Sequence, residues 1–200
     1  MITEHIHHAL AQVRELQRQV LERQRFRGYS GEAKAASGTA ALLIAVVLGS
    51  GRLPATFPVH LVGWGVLFVF ALLTNYGAVM YWFLNDPHVK RDVRKLKPLL
   101  DVVPPLIVGA VLSGAVLLRG EYHYLFGIWM CLFGLANLAT RHVLPKAIAL
   151  VGLFYLCAGA LCGLWPGLEF TNPWPMGLAF FVGEWTSGLI LHFDQRRAIP

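Results

Sequence analysis

The sequence predicts an all-α polytopic membrane protein: six transmembrane helices in three hairpins, preceded by a cytoplasmic amphipathic helix. Three observations carry this. Hydrophobic residues make up 56% of the chain and charged residues 14%, far from the balance of a soluble globule. The apolar residues fall in blocks too long for core helices. With six blocks, all but two of the 17 Lys and Arg lie on one side, and only Arg52 and Arg119 lie on the other. That asymmetry is the positive-inside pattern, and it puts both termini in the cytoplasm and the chain in the cell's inner (cytoplasmic) membrane. Dropping one span from the count destroys it. The net charge of +6 is then a topological signal, and nucleic acid is not expected as a partner.

Residues 1–31 form a cytoplasmic helix and linker, 32–194 the membrane domain and 195–200 a short cytoplasmic tail. In the first segment Ile2, Ile6, Ala9, Val13, Leu16 and Val20 recur in steps of four and three, a short heptad pattern. β-Branched residues at one seam position suit a parallel dimer. The same stripe, with Arg14, Arg18, Arg23, Arg25 and Arg27 beside it, equally suits a helix lying on anionic lipid. The segment thus offers a surface for membrane lipid, a homo-oligomer or a protein partner. The GYSG at 28–31 breaks the helix and lets the chain turn.

The spans follow in order. The first, 35–50, is slightly short and rich in Ala and Gly, and ends at Gly49, Gly51 and Pro54. The second, 57–84, is long enough to tilt or project. The third, 99–118, carries Pro104 and Pro105 in its first turns, where proline costs least. The fourth covers 122–140, and the fifth 146–164 after Pro145. The sixth, 174–192, is introduced by Asn172-Pro173-Trp174-Pro175. Helices are expected because backbone polar groups in hydrocarbon must be satisfied locally. Tight outer turns join the spans pairwise. Gly63, Gly127 and Gly177 begin the return helices alike, a weak sign of repetition.

Small residues mark close helix approach. Gly152, Gly159 and Gly163 share one face of the fifth span, and Gly183 lies on a small-residue side of the sixth. Cys131, Cys157 and Cys162 lie inside apolar spans and read as small hydrophobes rather than disulfides.

Among the acidic residues only Glu184 falls deep in an apolar span. An ionisable group there needs a partner, a proton or a water-filled cavity. Converting residue order to depth puts Asn75 level with Glu184, with Asn137 nearer the cytoplasm. Ser187 shares a helix face with Glu184. Burial favours a neutral acid donating a hydrogen bond, with Asn75 a candidate partner. The expected duty is an interhelical clasp; a proton- or cation-linked site and direct ligand binding are the alternatives.

A second group is cytoplasmic. Asp86 and His88 end the second span, His142 the fourth and His192 the sixth, so these four could meet at the cytoplasmic mouth. Lys90, Arg91, Arg94, Lys95 and Lys97 follow in the loop after the second span and are expected to contact lipid headgroups. Two or three residues do not make a metal site, and neither metal nor cofactor is expected. Hydrolase, zinc-protease, P-loop and dinucleotide motifs are absent from the sequence.

The stretches GYSGEAKAASGTAALL, WMCLFGLANLATRHVLP and GLAFFVGEWTSGLIL resemble small bacterial six-span integral membrane proteins without an assigned biochemical role. The hairpin pattern is more distantly similar to the acid-resistance membrane proteins built from paired helices. Neither resemblance supplies a catalytic residue. The functional expectation is therefore a non-enzymatic membrane protein with a regulatory, sensory or scaffolding role. The alternatives are a small transporter or proton-linked permease using Glu184, and third, a lipid-acting enzyme at the cytoplasmic mouth.

Overall fold

A computed structural model describes residues 12–13, 26, 28–86 and 96–197, with the side chains of Lys97 and Arg197 outside the description. The heptad segment therefore lies outside the described residues, apart from Gln12, Val13 and Phe26. The described part is helical, with no strand. The helices are α1 (Gly31–Gly49), α2 (Phe57–Asn85), α3 (Lys97–Leu100), α4 (Val103–Arg119), α5 (Leu125–Ala139), α6 (Ile148–Leu164) and α7 (Trp174–Arg197). Single 3-10 turns, Tyr122–Tyr124 and Thr140–His142, flank α5. Among the described residues, five helical stretches are long and apolar enough to cross a membrane, and Ile148–Leu164 is a shorter apolar helix. This is the architecture of an integral membrane protein.

The ends follow local chemistry. Ser30 caps α1, its hydroxyl accepting from the Ala33 amide at 3.3 Å; the GYSG break is thus also the helix start. Pro58 stands in the first turn of α2, where its missing N–H costs nothing. Gly120 closes α4 at φ 73°, a left-handed conformation that suits glycine. At 29 residues, α2 is about 44 Å long, well beyond a hydrocarbon core of about 30 Å.

Packing follows the small residues. The closest pairings are α1 with α7 and α5 with α6. The α1–α7 pair is antiparallel: a Cβ on Gly31 would stand 2.6 Å from the Gly188 carbonyl, while Gly177 abuts Ala45 and Gly49 abuts Trp174. On α5 and α6, a Cβ on Gly134 would lie 2.7 Å from the Gly152 carbonyl, and one on Gly159 would lie 2.8 Å from the Gly127 carbonyl. Lipid offers no hydrophobic drive between helices, so close backbone approach supplies the packing energy. Gly63, Gly127 and Gly177, alike in sequence, face three different neighbours: Leu48, α6 and Ala45.

The core runs through Trp64, Phe126, Met130 and Tyr155, all nearly or fully buried. Phe170, from the connection before α7, tucks against Phe57, Phe126 and Trp129. In contrast, α4 has no buried residue. It leans on α5, where Trp129 Nε1 donates to Ser113 Oγ at 2.8 Å.

Candidate functional site

Glu184 does not stand alone in the bundle. The antiparallel α1–α7 contact brings Lys34 to it, with Nζ 3.1 Å from Oε2 and 3.4 Å from Oε1. The Tyr155 hydroxyl, from α6, donates to Oε1 at 3.4 Å. The Lys34 and Glu184 side chains are 13% and 4% exposed, so the carboxylate is buried and the ammonium largely so. Such a pair contributes little net stability, because desolvation offsets the attraction. Its physical consequence is that each charge becomes costly if the other leaves.

In the sequence Lys34 counts among the Lys and Arg of the expected cytoplasmic side. Its register carried a different message. Ser37, Ala41, Ala45 and Leu48 are buried on α1, and Lys34 lies three residues before Ser37 on that stripe. It is the one basic residue in α1.

Asn75 bonds elsewhere. Its Nδ2 donates to Ser37 Oγ at 2.9 Å and to the Ala71 carbonyl at 2.9 Å. Ser37 in turn donates to the Ala33 carbonyl. So α1, not α7, receives the Asn75 amide, and Lys34 and Tyr155 lie against the Glu184 carboxyl where Asn75 was the candidate partner. Asn75 Oδ1 is buried without a partner. Asn137 is buried, and its Nδ2 donates to the Phe133 carbonyl at 2.9 Å. Ser187 is 1% exposed, and its hydroxyl has no partner.

The aromatic surroundings complete the site. Lys34 Nζ lies 5.1 Å from the Phe133 ring centroid and 6.0 Å from that of Tyr29. Gly183 makes room for Tyr155, because a Cβ there would overlap the phenol. Tyr29 is held by its neighbours: its carbonyl accepts from Gln195 Nε2 at 3.1 Å, and its ring meets Phe26 edge-on. Phe26 also meets Trp82 edge-on, and its amide donates to the Val143 carbonyl at 2.9 Å. Burial first, then Tyr76 and Asp101, push the Tyr29 phenol well above its ordinary value of 10.0.

This group borders a cavity of about 460 Å³, within the usual range for small-molecule sites. Its lining comes mainly from α2, α4, α5 and α7. Trp64, Phe68, Leu106, Leu132 and Phe180 make it largely apolar. Lys34, Asn75, Asn137 and Glu184 supply polar groups at the Tyr29 end. The structure thus brings Glu184, Asn75 and Asn137 to one cavity and leaves Ser187 outside its lining.

Of the helix-end residues, Asp86, His142 and His192 lie within the described residues. Asp86 follows the end of α2, its amide donating to the Trp82 carbonyl at 3.0 Å. His142 is exposed in the Thr140–His142 turn, and His192 is half-buried on α7. Among the described residues, no three or more His, Cys, Asp or Glu gather to hold a metal. His88, Lys90, Arg91, Arg94 and Lys95 lie outside the described residues, as does the Lys97 side chain. On α6, Gly152 and Gly159 make the tight contacts with α5, while a Cβ on Gly163 would meet nothing nearer than 3.9 Å. Comparison with protein families, curated proteins and solved structures finds no match to this chain.

Proposed function

We propose that this chain is a six-span, non-enzymatic protein of the cytoplasmic membrane that binds a small amphipathic ligand inside the bilayer and serves a sensory or regulatory role through it. The observation that carries the reading is the cavity of about 460 Å³, apolar along its walls and bordered by a buried ion pair. Apolar walls suit a ligand's hydrocarbon or aromatic body, and the few polar groups would orient its head.

The antiparallel packing of α1 on α7 supports the six-span count. An even number of crossings makes the first and last spans antiparallel, which favours a crossing by Ile148–Leu164 beside the five longer helices. At 17 residues it is about 25 Å long, short of the average core by an amount that local thinning accommodates. The Lys and Arg asymmetry supports cytoplasmic termini.

The test is to purify the protein in nanodiscs and identify co-purifying small molecules by native mass spectrometry. Ala110 lines the cavity from the unburied helix α4, so Ala110→Trp would fill the space without breaking the core. The expected result is a bound amphiphile that this variant loses. An identical ligand complement in both proteins would overturn the reading.

One observation favours a second reading, a proton-linked permease using Glu184: the cavity reaches both members of the ion pair. Proton flux into proteoliposomes, abolished by Glu184→Gln in a correctly folded protein, would select it over a sensor.

A further inference from the structure

The arrangement around Lys34 is a cation cage already occupied by a side chain. A carboxylate lies on one side of the ammonium at 3.1 Å, and ring centroids lie 5.1 and 6.0 Å away. Carboxylate plus aromatic faces is the chemistry that recognises an organic ammonium. We propose that the cavity takes a hydrophobic organic monocation, whose charged centre replaces Lys34 Nζ on Glu184 beside Phe133 and Tyr29. This rests on the reading of the cavity as a ligand site and adds the sign of the ligand.

The sign follows from the unequal freedom of the two partners. Lys34 is the fourth residue of α1, about 5 Å along the axis from its start. Its four-carbon stem can carry the ammonium towards that end and to water. Glu184 is the eleventh residue of the 24-residue α7, on a short stem, touched by Tyr155. So Lys34 is the partner that can leave, and Glu184 the one that stays. A cationic ligand would free an ammonium that can reach solvent, and it would keep the carboxylate paired. An anionic ligand would have to take Lys34 from Glu184 and strand a carboxylate that is 4% exposed, the costly outcome for a buried pair. The apolar walls then select cations with a large hydrocarbon or aromatic body over hydrated inorganic ones.

Tetraphenylphosphonium and tetraphenylborate are matched in size and opposite in charge, and equilibrium dialysis against the full-length protein in zwitterionic nanodiscs compares them. The expected result is saturable phosphonium binding with one site per chain and no saturable borate binding. Glu184→Gln should weaken phosphonium binding at least tenfold. Lys34→Met removes the tethered competitor and should tighten it, a gain that misfolding cannot imitate. Phe133→Leu, which leaves the ion pair intact, should weaken it about two- to fivefold. Saturable borate binding without phosphonium binding would overturn the sign and leave the cavity reading standing. Binding of neither ion would overturn both. Phosphonium binding unchanged by all three substitutions would place the ion elsewhere and overturn the proposal.

Discussion

Two glycines of α6, one turn apart, should respond in opposite ways to the same added methyl group. At Gly159 a Cβ would stand 2.8 Å from the Cys131 amide nitrogen and from the Gly127 carbonyl oxygen, and 2.7 Å from Cys131 Sγ. The sulfur can rotate away, but the two backbone atoms cannot. Ordinary van der Waals contact begins near 3.4 Å, so α5 and α6 must part locally by about 0.6 Å, a displacement that packed interiors resist. Overpacking of this kind costs about 1–3 kcal/mol, offset by about 1 kcal/mol from the better helix propensity of alanine. At Gly163 the nearest atom lies 3.9 Å away, so only the propensity gain remains. Gly159→Ala should therefore be less stable than Gly163→Ala by about 1–3 kcal/mol, a difference from which propensity cancels. Unfolding by sodium dodecyl sulfate in mixed micelles, followed by tryptophan fluorescence, measures it. Equal midpoints, or a lower midpoint for Gly163→Ala, would refute the packing argument.

Three further outcomes are expected. Tyr155→Phe removes a hydrogen bond to Glu184 that is 3.4 Å long and should cost less than about 1 kcal/mol; Gly183→Ala must displace the whole ring and should cost about 1–3 kcal/mol in the same unfolding assay. Trp129→Phe deletes the bond to Ser113 that helps hold a helix without buried residues, so amide exchange in 103–119 should accelerate by up to about tenfold while global unfolding barely moves. The raised phenol of Tyr29 means that the folded state holds this proton more tightly than the unfolded one. Its contribution is fully present below the ordinary value of 10.0 and is lost as pH rises beyond it; wild-type protein should lose stability relative to Tyr29→Phe above pH 10, read from denaturation midpoints on a pH series.

How much of the site was legible can be judged from particular residues. Glu184 was found because an ionisable group in an apolar run is visible in one dimension. Asn75 and Asn137 are visible the same way; converting residue order to depth sets Asn75 level with Glu184 and Asn137 nearer the cytoplasm, and only the cavity brings Asn137 to the same site. The partner of the carboxylate was not legible. Lys34 stands at a helix start, where a lysine usually reports topology, and its position on the buried stripe of α1 matters only once α1 is known to lie against α7. The expected bond from Glu184 to Asn75 gave way to Ser37, which α1 presents to the Asn75 amide.

What the chain determined by itself was the set of apolar helices, their breaks at Gly and Pro, and the faces along which glycines allow close approach. These are local or periodic properties, and hydrophobicity in a bilayer expresses them directly. The tertiary structure alone decided which faces meet. Helices apolar on every side give no amphipathic stripe to orient them, and lipid solvates one apolar face as readily as another. The match of Gly31, Gly38 and Ala45 on α1 to Gly188, Glu184 and Gly177 on α7 breaks that degeneracy by shape. That fit of small residues turned a lone acid into one half of a buried ion pair at the edge of a cavity.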